Sequence, residues 1–356
     1  MKLHLREDAT PHPHRWWHIP LLLLLIVGTI YIVREYNGRN NVAAGTTWKP
    51  AEVIRNEGAV FGTFYHLTYR SNTNWQAAID SVLAEVDHSL SPFNKKSIIT
   101  AINENTSMQT DERFRHVFTL AHQVYEATGG AFDITVAPLV NAWGFGFREG
   151  HTPDSLQIDS LRQFVGFNKV HLQGNSIIKS DPRVLLDCSA IAKGYGVDAV
   201  AQILESRNVL DYMVEIGGEI RTGGVNPQGA AWHIGVNKPV DDSLSVNSDI
   251  QQILEVGNTA IATSGNYRNF RTENGEKIAH TIDPRTGYPV QRSILSATVL
   301  APDCATADAY ATAFMVLGFD EAKHILEKHT ELQAYFICTD DKGRIFTWYS
   351  PTLQLP

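Results

Sequence analysis

Cysteine is scarce and dispersed. Cys188, Cys304 and Cys338 are the three in 356 residues. They form no CxxC pair and no Cys/His metal spacing, so a zinc module is excluded, and an odd, sparse set excludes a disulfide framework. They read as small buried hydrophobes. No run of five Lys or Arg residues occurs and the formal net charge is −8, so nucleic acid is not an expected partner. Charged residues make up only 19% and hydrophobic residues 43%. That balance fits a globular chain with a sizeable core, long enough for one large domain or two small ones.

A long uncharged run stands near the start. Residues 16–33, WWHIPLLLLLIVGTIYIV, are 18 residues without Asp, Glu, Lys or Arg, about 27 Å as a helix and close to the thickness of a bilayer core. Its length, its flanking Trp and Tyr and the lack of a small-x-small cleavage site favour an uncleaved transmembrane anchor over a signal peptide. No cysteine follows the run, which excludes a lipid-modified N-terminal cysteine. The expected organisation is a polar tail (1–15), an anchor (16–33), a Gly/Asn-rich linker (34–50) and a catalytic domain (51–356).

Within that domain, residues 60–69 (VFGTFYHLTY) read as a strand. Residues 112–128 place Phe114, Val117, Phe118, Ala121, Val124 and Tyr125 on one helical face, ended by Gly129-Gly130. Residues 170–178 and 184–186 read as strands. Residues 211–224 read as strand, Gly-Gly, strand, and 334–349 as terminal strands.

Four stretches carry chemistry-bearing residues. Residues 186–198, LDCSAIAKGYGVD, join an apolar run to a helix through Asp187, small residues and Lys193-Gly194. Such a turn leaves backbone N–H groups and a partly positive helix end where a phosphate can sit, or it is a strand–turn–helix with a capping Asp. In residues 131–147, Asp133 interrupts an apolar run, as a satisfied buried carboxylate or as a ligand contact. Residues 263–289 bring His280, Asp283, Arg285 and Thr286 together. This is a hydrogen-bonded surface loop, or a loop in which His280 bonds a phosphate or moves a proton. In residues 305–318, Asp308 and Thr312 are spaced i, i+4 and project from one helix face. They suit a Mg²⁺ ion, which takes one or two hard protein oxygens, or else Asp308 caps the helix and Thr312 bonds back to it.

Together and in order, FGTFYHLTY, GGAFDITVAPLVNAWGFG, LDCSAIAKGYGVD with VEIGGEIRTGG, and TSGNYRNF…HTIDPRTGYPV with CATADAYATAFMVLG make the chain resemble the ApbE family, the FAD:protein FMN transferases. The resemblance covers roughly residues 58–345. It implies an α+β, T-fold-like ApbE fold of antiparallel sheets with packed helices, here preceded by the anchor. It implies FAD as substrate, Mg²⁺ as cofactor, and transfer of FMN to a Thr or Ser hydroxyl of a target flavoprotein with release of AMP. Targets in the family are membrane or periplasmic redox subunits. The implied location is therefore a bacterial inner membrane, with the catalytic domain on the periplasmic side.

By position, the flavin and adenine contacts implied are Phe61, Phe93, Ala131, Phe132, Asp133, Asp187, Lys193 and Ile282. The implied metal ligands are the backbone oxygen of Ala190 and the side chains of Asp308 and Thr312. His280 would stand nearest the chemistry beside Asp308, as base or phosphate positioner, with Asp283 as a possible orienter. The family often has Met at the place of Phe61 and Tyr at that of Phe93. Two alternatives remain: Mg²⁺-dependent hydrolysis of FAD to FMN and AMP, and a membrane-tethered FAD-binding protein without catalysis.

Overall fold

The structure, a computed structural model, describes residues 51–148, 150–239, 250–266, 270–273 and 276–355. The expected tail, anchor and linker lie outside the described residues. Among those described, no helix is long and apolar enough to cross a membrane.

Residues 51–356 form one compact unit. In chain order its elements begin with β1 (Glu52–Val60) and β2 (Thr63–Ser71), then α1 (Gln76–Leu90), α2 (Ile98–Asn103), α3 (Glu112–Ala127), α4 (Ala137–Ala142) and α5 (Ser155–Arg162). Next come β3 (Val170–Gln173), β4 (Ser176–Lys179), α6 (Ala192–Glu205), β5 (Tyr212–Ile216), β6 (Glu219–Gly223), β7 (Trp232–Asn237), β8 (Ile250–Val256) and β9 (Thr259–Gly265). The chain ends with β10 (Phe270–Glu273), β11 (Glu276–Ala279), β12 (Ile294–Ala301), α7 (Cys304–Leu317), α8 (Phe319–Lys328), β13 (Gln333–Thr339) and β14 (Ile345–Tyr349).

Eight strands make one sheet in the order β1-β2-β5-β6-β9-β12-β13-β14, and every neighbouring pair is antiparallel. The α+β class is as expected. The central strands are apolar on both faces, and the period of two sorts their residues into two cores. Ala260, Ala262, Ala297, Val299, Ala334 and Phe336 face the helices. Ile261, Leu300, Tyr335 and Ile337 face the β7–β8 hairpin, which covers them with Trp232, Ile234, Val236, Leu254 and Val256. Removing both faces from water supplies the main driving force for this layering.

Helix α3 spans almost the expected range, with Phe114, Val117, Phe118, Ala121 and Val124 buried, Tyr125 half-buried, and Asp111 accepting from the N–H of Phe114 at 2.7 Å as its N-cap. Gly129 and Gly130 follow it at φ 58° and 80°, a region open to glycine. The strand expected at 60–69 is instead the second arm of a hairpin. Val60 pairs with Thr63, and Phe61 and Gly62 turn the chain at φ 51° and 73°. Positive φ at both central positions matches the twist of the flanking strands. Residues 170–178 likewise divide into the β3–β4 hairpin, turned at Gly174 with φ 59°.

Residues 184–186 are buried but are not a strand. The N–H of Val184 donates to the carbonyl of Asp181 at 3.1 Å and its carbonyl accepts from Lys179 at 3.0 Å, while Leu186 is held by a side chain. Asn103 accepts from the N–H of Leu186 at 2.7 Å and donates to its carbonyl at 2.8 Å. The N–H of Asp187 then donates to the carbonyl of Ile134 at 2.7 Å. Asn103→Ala leaves two buried backbone groups without partners, an expected loss of about 3 kcal/mol of stability. Urea unfolding measures it, and a loss below about 1 kcal/mol, the worth of one ordinary hydrogen bond, would contradict this account.

Candidate active site

Helices α6 and α7 cross at their N-termini, and glycine and alanine permit the approach. A Cβ on Gly194 would fall 2.3 Å from the carbonyl oxygen of Cys304 and 2.9 Å from the Cα of Ala305. Each helix supplies a carboxylate to the start of the other. Asp198 of α6 accepts from the N–H groups of Cys304 and Ala305 at 2.9 and 2.8 Å. Asp308 of α7 accepts from the N–H of Gly194 at 3.1 Å. Both bonds place negative charge on orphan N–H groups at the positive ends of helix dipoles. Asp308 is therefore not the cap of its own helix. Asp303 holds that place, accepting from Thr306 at 2.8 Å. Thr312 is half-buried, with its hydroxyl 3.3 Å from that of Ser264 on β9.

Asp308 and Thr312 open onto a cavity of about 890 Å³. Every flavin, adenine, metal and catalytic residue expected from the sequence lines it, and only the possible orienter Asp283 does not. Phe61 sits at the β1–β2 turn, its ring so close to Gly196 on α6 that a Cβ there would lie 2.6 Å away. Phe93 stands at the mouth, 63% exposed and edge-on to Phe147. Ala131, Phe132 and Ile282 are buried wall residues. Ala190, Lys193 and His280 also line the space, with the His280 ring edge-on to Phe145 at 6.5 Å.

The carboxylates divide between holding the loops and facing the cavity. Asp133 accepts from the N–H and hydroxyl of Thr135, both at 2.7 Å, and starts a short 3₁₀ turn. Asp187 does the same for the N–H and hydroxyl of Ser189 at 2.8 and 2.5 Å. Each is thus a structural cap that also lines the cavity, and the two readings of Asp133 are compatible. Burial pushes Asp133 up to about 6 and raises Asp187 as well, against the lowering effect of these bonds. Asp283 does not serve as an orienter for His280. It is buried, accepts from the backbone and guanidinium of Arg285 at 2.9–3.0 Å, and does not line the cavity.

Glu219 was not among the expected residues. It follows Gly217-Gly218 at the β5–β6 turn, is 3% exposed and lines the cavity. Its Oε1 takes the ammonium of Lys193, while its Oε2 meets no partner among the described residues. The signal was a charge beside a Gly-Gly turn, in a strand whose alternation turns it inward. Burial raises Glu219, with Lys193 opposing and Asp308 adding to the rise. Burial would lower Lys193, but Glu219 and then Asp308 hold it charged.

Among the described residues the lining therefore holds five carboxylates, Asp87, Asp133, Asp187, Glu219 and Asp308, and one Lys or Arg, Lys193. Among the described residues, no group of three or more His, Cys, Asp or Glu is gathered as a metal cage. An acidic half beside an apolar half at one end of an antiparallel sheet defines a small-molecule cleft. The ApbE family model matches residues 61–336. The chain is 38% identical to the FAD:protein FMN transferase of Vibrio cholerae over 82% of its length and 90% of the relative's. To that of Haemophilus influenzae it is 38% identical over 83% and 89%. The solved flavin transferase ApbE from Vibrio cholerae superposes with a TM-score of 0.76 at 35% identity, over 85% of this chain and 98% of that one. The Pseudomonas stutzeri flavinyl transferase ApbE gives 0.75 at 27%, over 86% and 97%. The chain belongs to the ApbE family.

Asp133 carries a pH dependence. Below about pH 3 it is largely neutral whether the chain is folded or unfolded. As pH rises, the unfolded chain releases the proton first, so the folded state loses ground until pH passes about 6. That loss is on the order of 3 kcal/mol by pH 8. An amide oxygen accepts both bonds from Thr135 equally well. Asp133→Asn is expected to be more stable than wild type at pH 8, with the advantage shrinking towards about pH 3, measured by urea unfolding. An identical difference at both pH values would exclude this origin.

Proposed function

We propose that the protein is an FAD:protein FMN transferase, moving FMN from FAD onto a Thr or Ser hydroxyl of a target flavoprotein with release of AMP. The observation that carries the reading is the convergence of Asp308, Thr312, Lys193 and His280 on one cavity, in a chain whose relatives bear that name along nearly their whole length. The apolar wall of Phe61, Phe132 and Ile282 suits the rings of the dinucleotide. The acidic half suits its diphosphate only with a cation between them, since carboxylates and phosphates repel.

The donor set fits Mg²⁺. Among the described residues Asp308 meets one hydrogen-bond donor, the N–H of Gly194, and the Thr312 hydroxyl lies one helical turn further along the same face. The Asp308 carboxylate, the Thr312 hydroxyl and the backbone oxygen of Ala190 would hold the ion. When bound, Mg²⁺ would neutralise diphosphate charge and orient its oxygens. Lys193, held charged and pinned by Glu219, adds a fixed positive charge for the phosphate. A hydroxyl is a weak nucleophile until a base takes its proton, and His280 is the base or phosphate positioner in this reading. Residues 16–33 would anchor the domain to a membrane, on the periplasmic side, where such targets reside.

The test incubates the protein with FAD, Mg²⁺ and a candidate flavoprotein fragment. Covalent FMN on the fragment and released AMP are expected. Free FMN with AMP would make it a hydrolase, and unchanged FAD a binding protein. His280→Ala is expected to slow transfer by roughly a hundredfold or more. Transfer at the wild-type rate would remove His280 from the mechanism.

A further inference from the structure

Three charges stand in a row across the α6–α7 crossing. Glu219 lies on β6, Lys193 in the first turn of α6 and Asp308 in the second turn of α7. Lys193 precedes Gly194, whose N–H donates to Asp308, and it lines the same cavity as both carboxylates. The ion pair it makes is with Glu219. Asp308 is left with the backbone N–H of Gly194.

We propose that Glu219 is a positioning residue, which draws the Lys193 ammonium to itself and thereby keeps Asp308 open to a divalent cation. The inference rests on the reading of Asp308 as a cation ligand. The turn that carries Glu219 is built for the purpose. Gly217 and Gly218 stand at φ 62° and 104°, a path closed to most side chains, and Ile216 pairs with Glu219 to close the hairpin. Glu219 is therefore fixed by the register of β6 rather than by a mobile loop. Among the described residues its Oε2 has no partner. A buried carboxylate with one oxygen unpaired is costly unless its charge is used. Here it offsets the lysine, which would otherwise lie against the only metal-type carboxylate of α7. A lysine with a four-carbon stem reaches a new partner readily once its first is gone.

Mg²⁺ titration of the apo full-length chain in detergent, followed by calorimetry without flavin, reads this directly. Glu219→Gln is expected to weaken Mg²⁺ binding roughly tenfold or more, as Lys193 moves onto Asp308. In a Lys193→Met background the same change is expected to shift affinity by less than about twofold, because no lysine remains to move. Lys193→Met alone is expected to bind Mg²⁺ at least as tightly as wild type, and it tests the idea even if Glu219→Gln fails to fold. Equal weakening by Glu219→Gln in both backgrounds would mean simple loss of negative charge and overturns the proposal. So does unchanged affinity in Glu219→Gln, or weaker binding in Lys193→Met. A wild-type chain that takes up no Mg²⁺ overturns both this inference and the cation assignment, whereas FMN transfer to a target fragment, assayed separately, judges the proposed function itself.

Discussion

The exchange of carboxylates between α6 and α7 is the constraint on which the rest of the cleft depends. Asp198 receives the first N–H groups of α7, and Asp308 receives the N–H of Gly194 in the first turn of α6. Two helix starts held this way cannot slide or rotate independently, because each fixes the other's axis. The sheet beneath α7 and the small residues along it set how deep the crossing lies. Asp198 is held in turn by Arg221 on β6 at 2.9 Å, so the crossing is tied to the same strand that begins with Glu219. The crossing is removed from water, with Asp198 buried, and that burial raises its carboxyl to about 6 against the lowering effect of the N–H groups of Cys304 and Ala305.

Electrostatics then divides the cleft. Among the described residues its lining carries five carboxylates and one lysine, already committed to Glu219. In the proposed reading a diphosphate placed there needs a cation beside it, since carboxylates and phosphates repel. That lining is consistent with a chain whose sequence offers no basic cluster and carries a net charge of −8.

Elements with strong periodicity were legible in the sequence. The α3 helix and the β5–β6 hairpin with its Gly-Gly turn fall where residue spacing places them. What was not legible depended on partners distant in the chain. Residues 184–186 look like a strand because they are apolar and short, yet the hydrogen bonds of Leu186 go to Asn103 rather than to a sheet. Phe61 looks like strand interior because phenylalanine rarely takes positive φ; only the contact of its ring with Gly196 explains its place at a turn. The site residues were legible through motifs, which bring Asp308, Thr312, Lys193 and His280 into view without any geometry. Glu219 escaped because its role is a contact with Lys193, 26 positions away. Asp283 was misassigned because nearness to His280 in sequence is not nearness of function. Its carboxylate shapes its own loop through Arg285.

The Asn103 clamp has a consequence for how the domain is assembled. The bonds it makes to Leu186 close a loop of 83 residues, and the segment that leads into the Lys193 turn has no ladder of its own to settle into. Its native path requires a docked α2, so the wall of the cleft that carries Asp187 and Lys193 is completed only with α2 in place. During synthesis from the N-terminus this order comes naturally, since α2 has left the ribosome well before residue 186. A circular permutant that placed residues 184–205 ahead of α2 would reverse it, leaving that stretch to wait, apolar and unpaired, for its clamp.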